Sequence, residues 1–176
     1  MYVIFFLLLL SSCTSCADIN DGLALLKIKE QLGNPEGLST WVEGFDFCNE
    51  SANTWASHIE CTSTGRVRSL RINNMREISA PFPKAICDLA ELEALYLELL
   101  LNLFGPIHSC IDQLSNLETV SIYRTGLSGY LPQFINHRKL TKLILSRNGF
   151  FGSIPSSLSA IPTLNYFRSF KELPHR

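Results

Sequence analysis

The sequence has no surplus of either charge. Its 15 Lys and Arg residues nearly balance its 16 Asp and Glu residues, so the 176-residue chain has a formal net charge of −1. Proteins that bind nucleic acid through its phosphates usually carry a basic excess. The composition therefore gives no support to nucleic acid binding, or to attraction by an anionic membrane surface.

Motifs for catalysis and cofactor binding are also missing. The sequence has no phosphate-binding loop and no dinucleotide fingerprint. The segment Gly126-Leu127-Ser128-Gly129 lacks the last spacer of a G-x-S-x-G nucleophile elbow. No two histidines have metal-binding spacing on a helix; the four are His58, His108, His137 and His175. We therefore expect no catalytic residues, no metal, no cofactor and no enzyme activity.

Only one long hydrophobic run occurs. Val3–Leu10 is an apolar core, and small residues follow it up to Ala17. This pattern predicts a secretory signal peptide over residues 1–17, because a bilayer span takes about 20 apolar residues. No Lys or Arg precedes the run, so an N-terminal membrane anchor is the alternative. We expect a secreted, extracellular chain with no membrane span.

What the sequence does have is a repeat with a period of about 24 residues. The pattern L-x-x-L-x-L, with aliphatic exchanges, occurs at Leu92–Leu97, Leu117–Ile122 and Leu140–Leu145. Glycine-containing turns follow, and then helix-like runs such as Leu131–Ile135 and Ile154–Leu158. This is a leucine-rich repeat, which predicts an α/β solenoid with a parallel concave sheet and helical or 3₁₀ segments and turns opposite. Stacked coils form binding surfaces rather than catalytic clefts.

The predicted domain order is a signal peptide at 1–17, an N-terminal cap at 18–65, about four repeat coils at 66–167 and a tail at 168–176. In the cap, Asp18 to Gly33 has the apolar spacing of a helix, which Gly33-Asn34-Pro35 would end. Arg66–Ile72 alternates apolar and polar residues and predicts the first strand. The cap is needed because the first coil would otherwise expose its apolar core.

The six cysteines gain meaning from export, because disulfides form in oxidising compartments. Cleavage of the signal peptide would leave four. Cys48 and Cys61 flank a tryptophan in the cap and are predicted to be bonded, which would contribute about 3 kcal/mol of stability. Cys87 and Cys110 lie on consecutive coils at offsets that differ by two. The sequence makes the weaker case for that bridge and leaves their pairing open.

The outward-facing strand residues are the candidate binding surface. Alternate residues of a strand point to the same face, and here that face is concave. Tyr96, Tyr123, Arg124 and Arg147 are the first candidates, since Tyr and Arg dominate interface energetics. The alternative is that all of these are simply solvated strand positions. The full predicted set is Arg71, Asn73, Tyr96, Glu98, Thr119, Ser121, Tyr123, Arg124, Lys142, Ser146 and Arg147.

The cap also contains a glycosylation sequon, Asn49-Glu50-Ser51. On an exported chain this motif predicts an N-linked glycan on Asn49. The alternative is an unmodified loop asparagine.

Several segments together carry a family resemblance. Ala24–Lys29, Leu32–Pro35 and Leu38–Trp41 resemble the N-terminal cap of plant extracellular leucine-rich-repeat proteins, and Asn102–Ile107 and Ser153–Ser159 look like the plant-type L-x-G-x-I-P repeat. The whole is most similar to the polygalacturonase-inhibiting proteins. The resemblance implies a secreted cell-wall protein of plant defence that blocks a microbial pectin hydrolase, with a protein partner such as a fungal polygalacturonase. Receptor-like ectodomains that bind a peptide or co-receptor share the same cap and repeat, and they give the alternative function.

The sequence departs from that family in several ways, which include replacement of the usual cap glycine around Ser57. Phe47-Cys48 stands where the family has adjacent cysteines. The turn position whose asparagines ladder between coils is expected at Leu101, Thr125 and Asn148. Family members also carry many more repeats, so we expect a truncated member, and an inactive truncated product is a further alternative.

Overall fold

The computed structural model describes residues 19–49, 53–54 and 57–169. The predicted signal peptide, Trp55, and the predicted tail beyond residue 169 lie outside the described residues. The domain division drawn from the sequence stays a prediction.

Helix α1 spans Ile19–Gln31, close to the predicted range. Leu25 and Ile28 are fully buried on one face, and this face packs on a 3₁₀ helix of the first coil. The helix ends at Gln31, and Gly33 follows with a φ of +84°, a left-handed conformation that suits glycine. Pro35 follows and cannot continue the helical hydrogen bonding. The cap helix therefore covers the end of the repeat core, as the sequence predicts.

Phe47 fills the cap core at the position where the resembling family has a cysteine. Its ring is buried and meets Trp41 edge-on, with 5.8 Å between ring centroids. It also reaches α1, because a Cβ added to Gly22 would lie 3.8 Å from the Phe47 ring. Aromatic packing thus joins the cap loop to the helix here, and buried aromatic side chains of this size contribute a large share of apolar burial.

Ten strands follow α1 in the described part of the chain. In order they are β1 (Ser57–Cys61), β2 (Val67–Asn73), β3 (Ala80–Pro81), β4 (Ala94–Glu98), β5 (Leu103–Gly105), β6 (Thr119–Tyr123), β7 (Gly126–Gly129), β8 (Lys142–Ile144), β9 (Gly149–Phe150) and β10 (Tyr166–Arg168). The larger sheet has the order β1-β2-β4-β6-β8-β10. From β2 onward its neighbours are parallel, and β1 is antiparallel to β2. The predicted leucine-rich-repeat solenoid is confirmed.

Strand β1 corrects one prediction. The first strand was predicted at Arg66–Ile72, yet a strand that precedes it already pairs with β2, His58 opposite Arg71 and Ile59 opposite Leu70. Ile59 is buried while His58 and Glu60 are exposed, which is the alternation of a half-buried strand. The concave sheet therefore begins one strand earlier than the sequence suggested.

A second sheet, with the order β3-β5-β7-β9, was not predicted. Its strands are two to four residues long, and the sequence assigned the segments of β5, β7 and β9 to glycine-containing turns. They lack the period-two alternation that identifies a strand, because stacking of successive coils, rather than local propensity, aligns them. The solenoid therefore has a second flat flank beside its concave face.

The remaining side of each coil is partly helical. It contains 3₁₀ helices at Lys84–Asp88 and Ser109–Gln113 and the short helix α2 at Ser156–Ser159. The run Leu131–Ile135 was predicted to be helix-like, but it has no helix. There the carboxylate of Asp112 accepts the Ile135 N–H at 2.7 Å, so a side chain of the preceding coil satisfies a donor that a helix would have paired.

The core consists of two columns of aliphatic side chains from the concave strands. Parallel register places Leu70, Leu95, Val120 and Leu143 one above the other, and each is almost wholly buried. Burying a Leu side chain contributes about 1.5–3 kcal/mol. A substitution such as Leu95→Ala would remove that burial and leave a cavity, costing about 2–5 kcal/mol.

The ladder position of the coil turn differs from the predicted one. The ladder position lies three residues after the last buried aliphatic residue of each concave segment, which is Ile72, Leu97, Ile122 or Leu145. The residues at the ladder position are therefore Met75, Leu100, Thr125 and Asn148. Leu100 is fully buried while Leu101 is 47% exposed, so Leu100, not Leu101, occupies the position. Asn148 Nδ2 donates to the Leu145 and Ile122 carbonyls at 3.0 and 2.7 Å. The turn position is thus apolar in the first two coils and polar in the next two.

The four cysteines within the described residues form two disulfides. The structure joins Cys48 to Cys61, with 5.5 Å between Cα atoms, and also joins Cys87 to Cys110, with 5.9 Å between Cα atoms. The sequence had disfavoured the second bridge because the offsets differ by two. The two 3₁₀ helices that carry Cys87 and Cys110 stack directly on one another, so a diagonal bridge still falls inside the Cα range of disulfides.

In the residues that the structure describes, no helix has both the length and the apolar character needed to cross a membrane.

Candidate functional site

Strand register arranges the concave side chains in three columns. The first column is Ser69, Ala94, Thr119, Lys142 and Tyr166; the second is Arg71, Tyr96, Ser121, Ile144 and Arg168; the third is Asn73, Glu98 and Tyr123. Most of the predicted binding residues therefore share one surface.

Glu98 connects three neighbouring coils of the concave face. Its Oε1 accepts the Ser121 hydroxyl at 2.7 Å, and its Oε2 lies 3.4 Å from Arg71 Nη1. The Arg71 guanidinium carbon sits 4.1 Å from the centroid of the Tyr96 ring. Each partly exposed ion pair adds only about 0.2–1 kcal/mol to stability. The main effect of the Glu98 and Arg71 contacts is to hold the side chains of Arg71, Tyr96 and Glu98 in fixed positions.

A second pair of cation–ring contacts lies farther along the solenoid. The Arg147 guanidinium carbon is 5.9 Å from the Tyr123 ring centroid, and Lys142 Nζ is 5.6 Å from that of Tyr166. Exposed contacts of this kind contribute about 0.5–1 kcal/mol. Tyr and Arg are therefore paired on both halves of the concave face.

Arg124 and Arg147 follow the concave strands in an unusual backbone conformation. Their φ values are +53° and +60°, and Asn74 and Leu99 have the same left-handed conformation at the equivalent positions. The Arg124 N–H donates to the Ser146 carbonyl of the next coil at 3.2 Å, so coil stacking imposes this geometry. A left-handed conformation costs a residue with a Cβ about 1–2 kcal/mol. Both arginines are exposed at the strand ends.

Ser146 does not present its hydroxyl as predicted. It is 1% exposed, and its Oγ has no hydrogen-bond partner among the described residues. Ser121 is also buried, but its hydroxyl is used by Glu98. A partner that approaches the concave face would therefore meet Glu98 rather than these serines.

Three residues that the sequence did not select extend the surface at its N-terminal edge. Glu60 Oε2 accepts from Arg68 Nη2 at 3.0 Å, and Glu60 Oε1 lies 3.3 Å from His58 Nε2. They border a shallow cleft of about 180 Å³ that also includes Arg71 and Tyr96. The alternation of buried and exposed residues in Ser57–Cys61 was the available signal, but it covers only five residues within the predicted cap.

A cleft of about 470 Å³ lies away from the concave face, between the last two described coils. Phe134, Ile161 and His137 contribute to its lining. The His137 side chain is fully buried, and Asp112 Oδ1 is 3.7 Å from its Nε2. Burial lowers the pKa of His137, and attraction to Asp112 and a contact with the Leu114 backbone oppose that change only partly. His137 is therefore held neutral by packing.

Comparison with known proteins agrees with this architecture. No protein-family model matches the chain. Polygalacturonase inhibitor 1 of rice (Oryza sativa subsp. japonica) is 37% identical over 108 residues, which is 61% of this chain and 31% of the relative. The chain thus spans about a third of the length of this curated relative.

Solved structures give the same result for the fold. A plant ice-binding protein matches with a TM-score of 0.77 and 36% identity, over 86% of this chain and 48% of that one. The BIR3–SERK2 complex from Arabidopsis thaliana matches with a TM-score of 0.68 and 27% identity, over 83% and 78%. The chain accordingly has a leucine-rich-repeat fold similar to those of plant proteins, and polygalacturonase inhibitors are among its relatives.

Proposed function

We propose that the chain is a secreted, extracellular binding protein that inhibits a microbial polygalacturonase by covering it with the concave face. The observation that supports this most is the ordered group of Arg71, Tyr96 and Glu98, which presents Tyr and Arg side chains in fixed positions. Similarity to polygalacturonase inhibitors supplies the class of partner. The proposed protein acts by surface complementarity and performs no chemistry of its own.

The size of the described concave face limits the affinity that we expect. Six strands spaced about 4.8 Å apart span about 24 Å, and five residues of strand cover about 17 Å. That area of about 400 Å² is half of what a standard interface buries per partner, about 800 Å². We therefore expect weak inhibition from these coils alone.

The direct experiment measures inhibition of fungal polygalacturonases by the purified, secreted chain, together with its affinity for each enzyme. A double variant, Tyr96→Ala with Tyr123→Ala, should weaken binding at least tenfold. Ile135→Ala is the matched control, because Ile135 is 67% exposed but lies away from the concave strands. Binding that survives the double variant and is lost in the control would place the interface elsewhere.

A receptor-type function is the second candidate. The structural match to the BIR3–SERK2 complex covers most of both chains, and the concave face offers the same groups to a peptide. Binding to synthetic peptides or to receptor ectodomains, tested with the same two variants, distinguishes this candidate from inhibition of an enzyme. Affinity for a peptide with no effect on any polygalacturonase would favour the receptor-type function.

We also propose that Asn49 carries an N-linked glycan. Asn49 is exposed on the cap surface. Mass spectrometry of the secreted chain before and after treatment with a glycan-releasing amidase checks this, and an unmodified Asn49 in all peptides would contradict it.

A further inference from the structure

The second sheet carries a set of exposed rings beside a column of glycines. We call Phe104, Pro106, Tyr130 and Phe151 the aromatic flank. Phe104 lies on β5, Tyr130 follows β7, and Phe151 follows β9. Their rings are 49%, 70% and 50% exposed for Phe104, Tyr130 and Phe151. Each of these residues is next in sequence to a glycine that recurs in successive coils, namely Gly105, Gly129 or Gly152.

The Tyr130 and Phe151 rings are exposed but fixed in orientation. A Cβ added to Gly152 would lie 2.7 Å from Tyr130 Cδ1, so the tyrosine ring rests directly on the glycine backbone. Tyr130 and Phe151 meet edge-to-face, with 4.8 Å between centroids and 66° between planes. The Phe151 N–H donates to the Gly129 carbonyl at 3.0 Å, which ties it to the preceding coil. Fixed rings lose little conformational entropy on binding.

The flank has no formal charge over three successive coils. No Asp, Glu, Lys or Arg occurs in residues 99–111, 125–137 or 148–167. The polar groups that accompany the rings are hydroxyls and amides, such as Ser128 and Gln133. A polyanion would find no counter-charge here, whereas an uncharged ligand would not force any charged group to lose its water.

The size of the flank favours a narrow ligand over a protein. A fully buried aromatic side chain covers about 150–250 Å², so rings that are half exposed offer a few hundred Å² in all. A protein partner, or a second copy of this chain, normally buries about 800 Å² per side. A single polymer chain that lies along the coils needs only the smaller area.

We propose that the aromatic flank binds a neutral, β-linked polysaccharide chain. The apolar C–H faces of sugar rings stack on Tyr130 and Phe151, and the sugar hydroxyls reach the Tyr130 and Ser128 hydroxyls. Phe104 pairs in register with Gly126, whereas Phe150 pairs with Gly129. Phe104 and Phe151 are therefore two coils apart and also displaced by four residues along the strands, about 16 Å in all. An extended chain of sugars that crosses the coils obliquely passes over both. This site is independent of the concave face.

The test measures affinity of the purified chain for cellohexaose by calorimetry and for soluble β-glucan by retardation in a native gel. Tyr130→Ala and Phe151→Ala should each weaken binding at least tenfold, and Ile135→Ala should leave it unchanged. All three positions are exposed, so we expect the substitutions to leave the melting temperature unchanged. Equal melting temperatures would show that the variants are folded. Polygalacturonate, a charged polymer, serves as the comparison ligand and should not bind through Tyr130.

Three results would overturn the proposal. The first is no binding to either neutral glycan, and the second is binding that neither ring substitution changes. The third is self-association, seen by sedimentation and abolished by Tyr130→Ala, without glycan binding, because the flank would then be a contact between copies. Inhibition of polygalacturonase is measured separately with the concave variants, so failure of one idea leaves the other intact.

Discussion

The carboxylate of Asp21 in α1 forms a bidentate ion pair with the guanidinium of Arg66, which stands at the start of the first coil. Arg66 Nη2 donates to Oδ1 at 2.9 Å and Nε to Oδ2 at 3.0 Å, and the Val67 N–H adds a third bond to Oδ2 at 2.7 Å. Asp21 is fully buried, and the Arg66 side chain is 27% exposed. This contact joins the cap helix to strand β2.

Asp21→Asn should therefore destabilise the whole chain. Removing one charge of a buried, bidentate pair leaves the other uncompensated, which costs about 3–5 kcal/mol. Denaturant unfolding followed by circular dichroism measures the change. Glu36→Gln, at an exposed carboxylate of the same cap, is the control and should alter stability by less than about 0.5 kcal/mol. A loss for Asp21→Asn as small as that of the control would mean that the pair is not what holds the cap.

The disulfide between Cys87 and Cys110 should contribute slightly more than the one in the cap. It closes a separation of 23 residues, against 13 for Cys48 and Cys61, and the chain-entropy model gives about 3.4 and 2.9 kcal/mol for the two. Replacing both cysteines of one pair by Ala at a time, and comparing midpoints of unfolding, checks the order. Non-reducing peptide mapping should find both linked pairs, and free thiols at Cys87 and Cys110 would remove the basis of this prediction.

Stability should fall as the pH is lowered through the range of a histidine. Burial depresses the pKa of His137 in the folded state below the usual 6.5, so the unfolded chain binds a proton more readily. Below pH 6.5 that difference favours unfolding, and the loss grows until the folded-state pKa is reached. One proton changes the free energy of unfolding by at most about 1.4 kcal/mol per pH unit.

The measurement is the free energy of unfolding between pH 8 and pH 5. His137→Gln should flatten the pH dependence, whatever it does to stability at pH 8. Ile135→Ala, which changes no titratable group and lines the same cleft as His137, is the control and should keep the dependence of the wild type. A curve that is equally steep with and without His137 would assign the effect to other groups.

Sequence patterns identified the parts of the fold that repeat with strong periodicity. The concave strands and α1 have apolar residues at fixed spacing, and these spacings alone locate Leu95 or Ile28 in the core. The second sheet was missed because its strands are short and rich in glycine, so their pairing depends on neighbouring coils. β1 was missed because its alternation covers only Ser57–Cys61 and stands beside a cysteine loop.

The sequence predicts which residues of the candidate site share a face, but not which side chains contact each other. Alternation places Tyr96, Glu98 and Tyr123 on one face, as found. It does not show that Glu98 joins its neighbours or that Ser146 is buried, because these depend on how far each side chain reaches across adjacent coils. The bridge between Cys87 and Cys110 was doubted for the same reason, since offset in sequence is a poor measure of distance between stacked 3₁₀ helices.

Because Arg124 has a left-handed conformation, substitutions at this position can distinguish its effect on folding stability from its effect on partner binding. Its φ of +53° strains any residue that has a Cβ, and the side chain is exposed, so Arg124→Gly relieves the strain and loses little packing. We expect this variant to be as stable as the wild type or more stable, by up to about 1 kcal/mol. Arg124→Val should be less stable, because a β-branched residue tolerates this conformation poorly.

Partner binding should change in the opposite sense for Arg124→Gly. If Arg124 contributes a hot-spot contact, its removal costs about 2 kcal/mol or more of binding energy even though the fold is not weakened. Thermal unfolding and affinity for the partner, measured on the same preparations, compare the two effects, and Arg147→Gly provides a second case with the same backbone geometry. A glycine variant that loses stability would show that the left-handed turn is not strained. One that keeps full affinity would remove Arg124 from the binding surface.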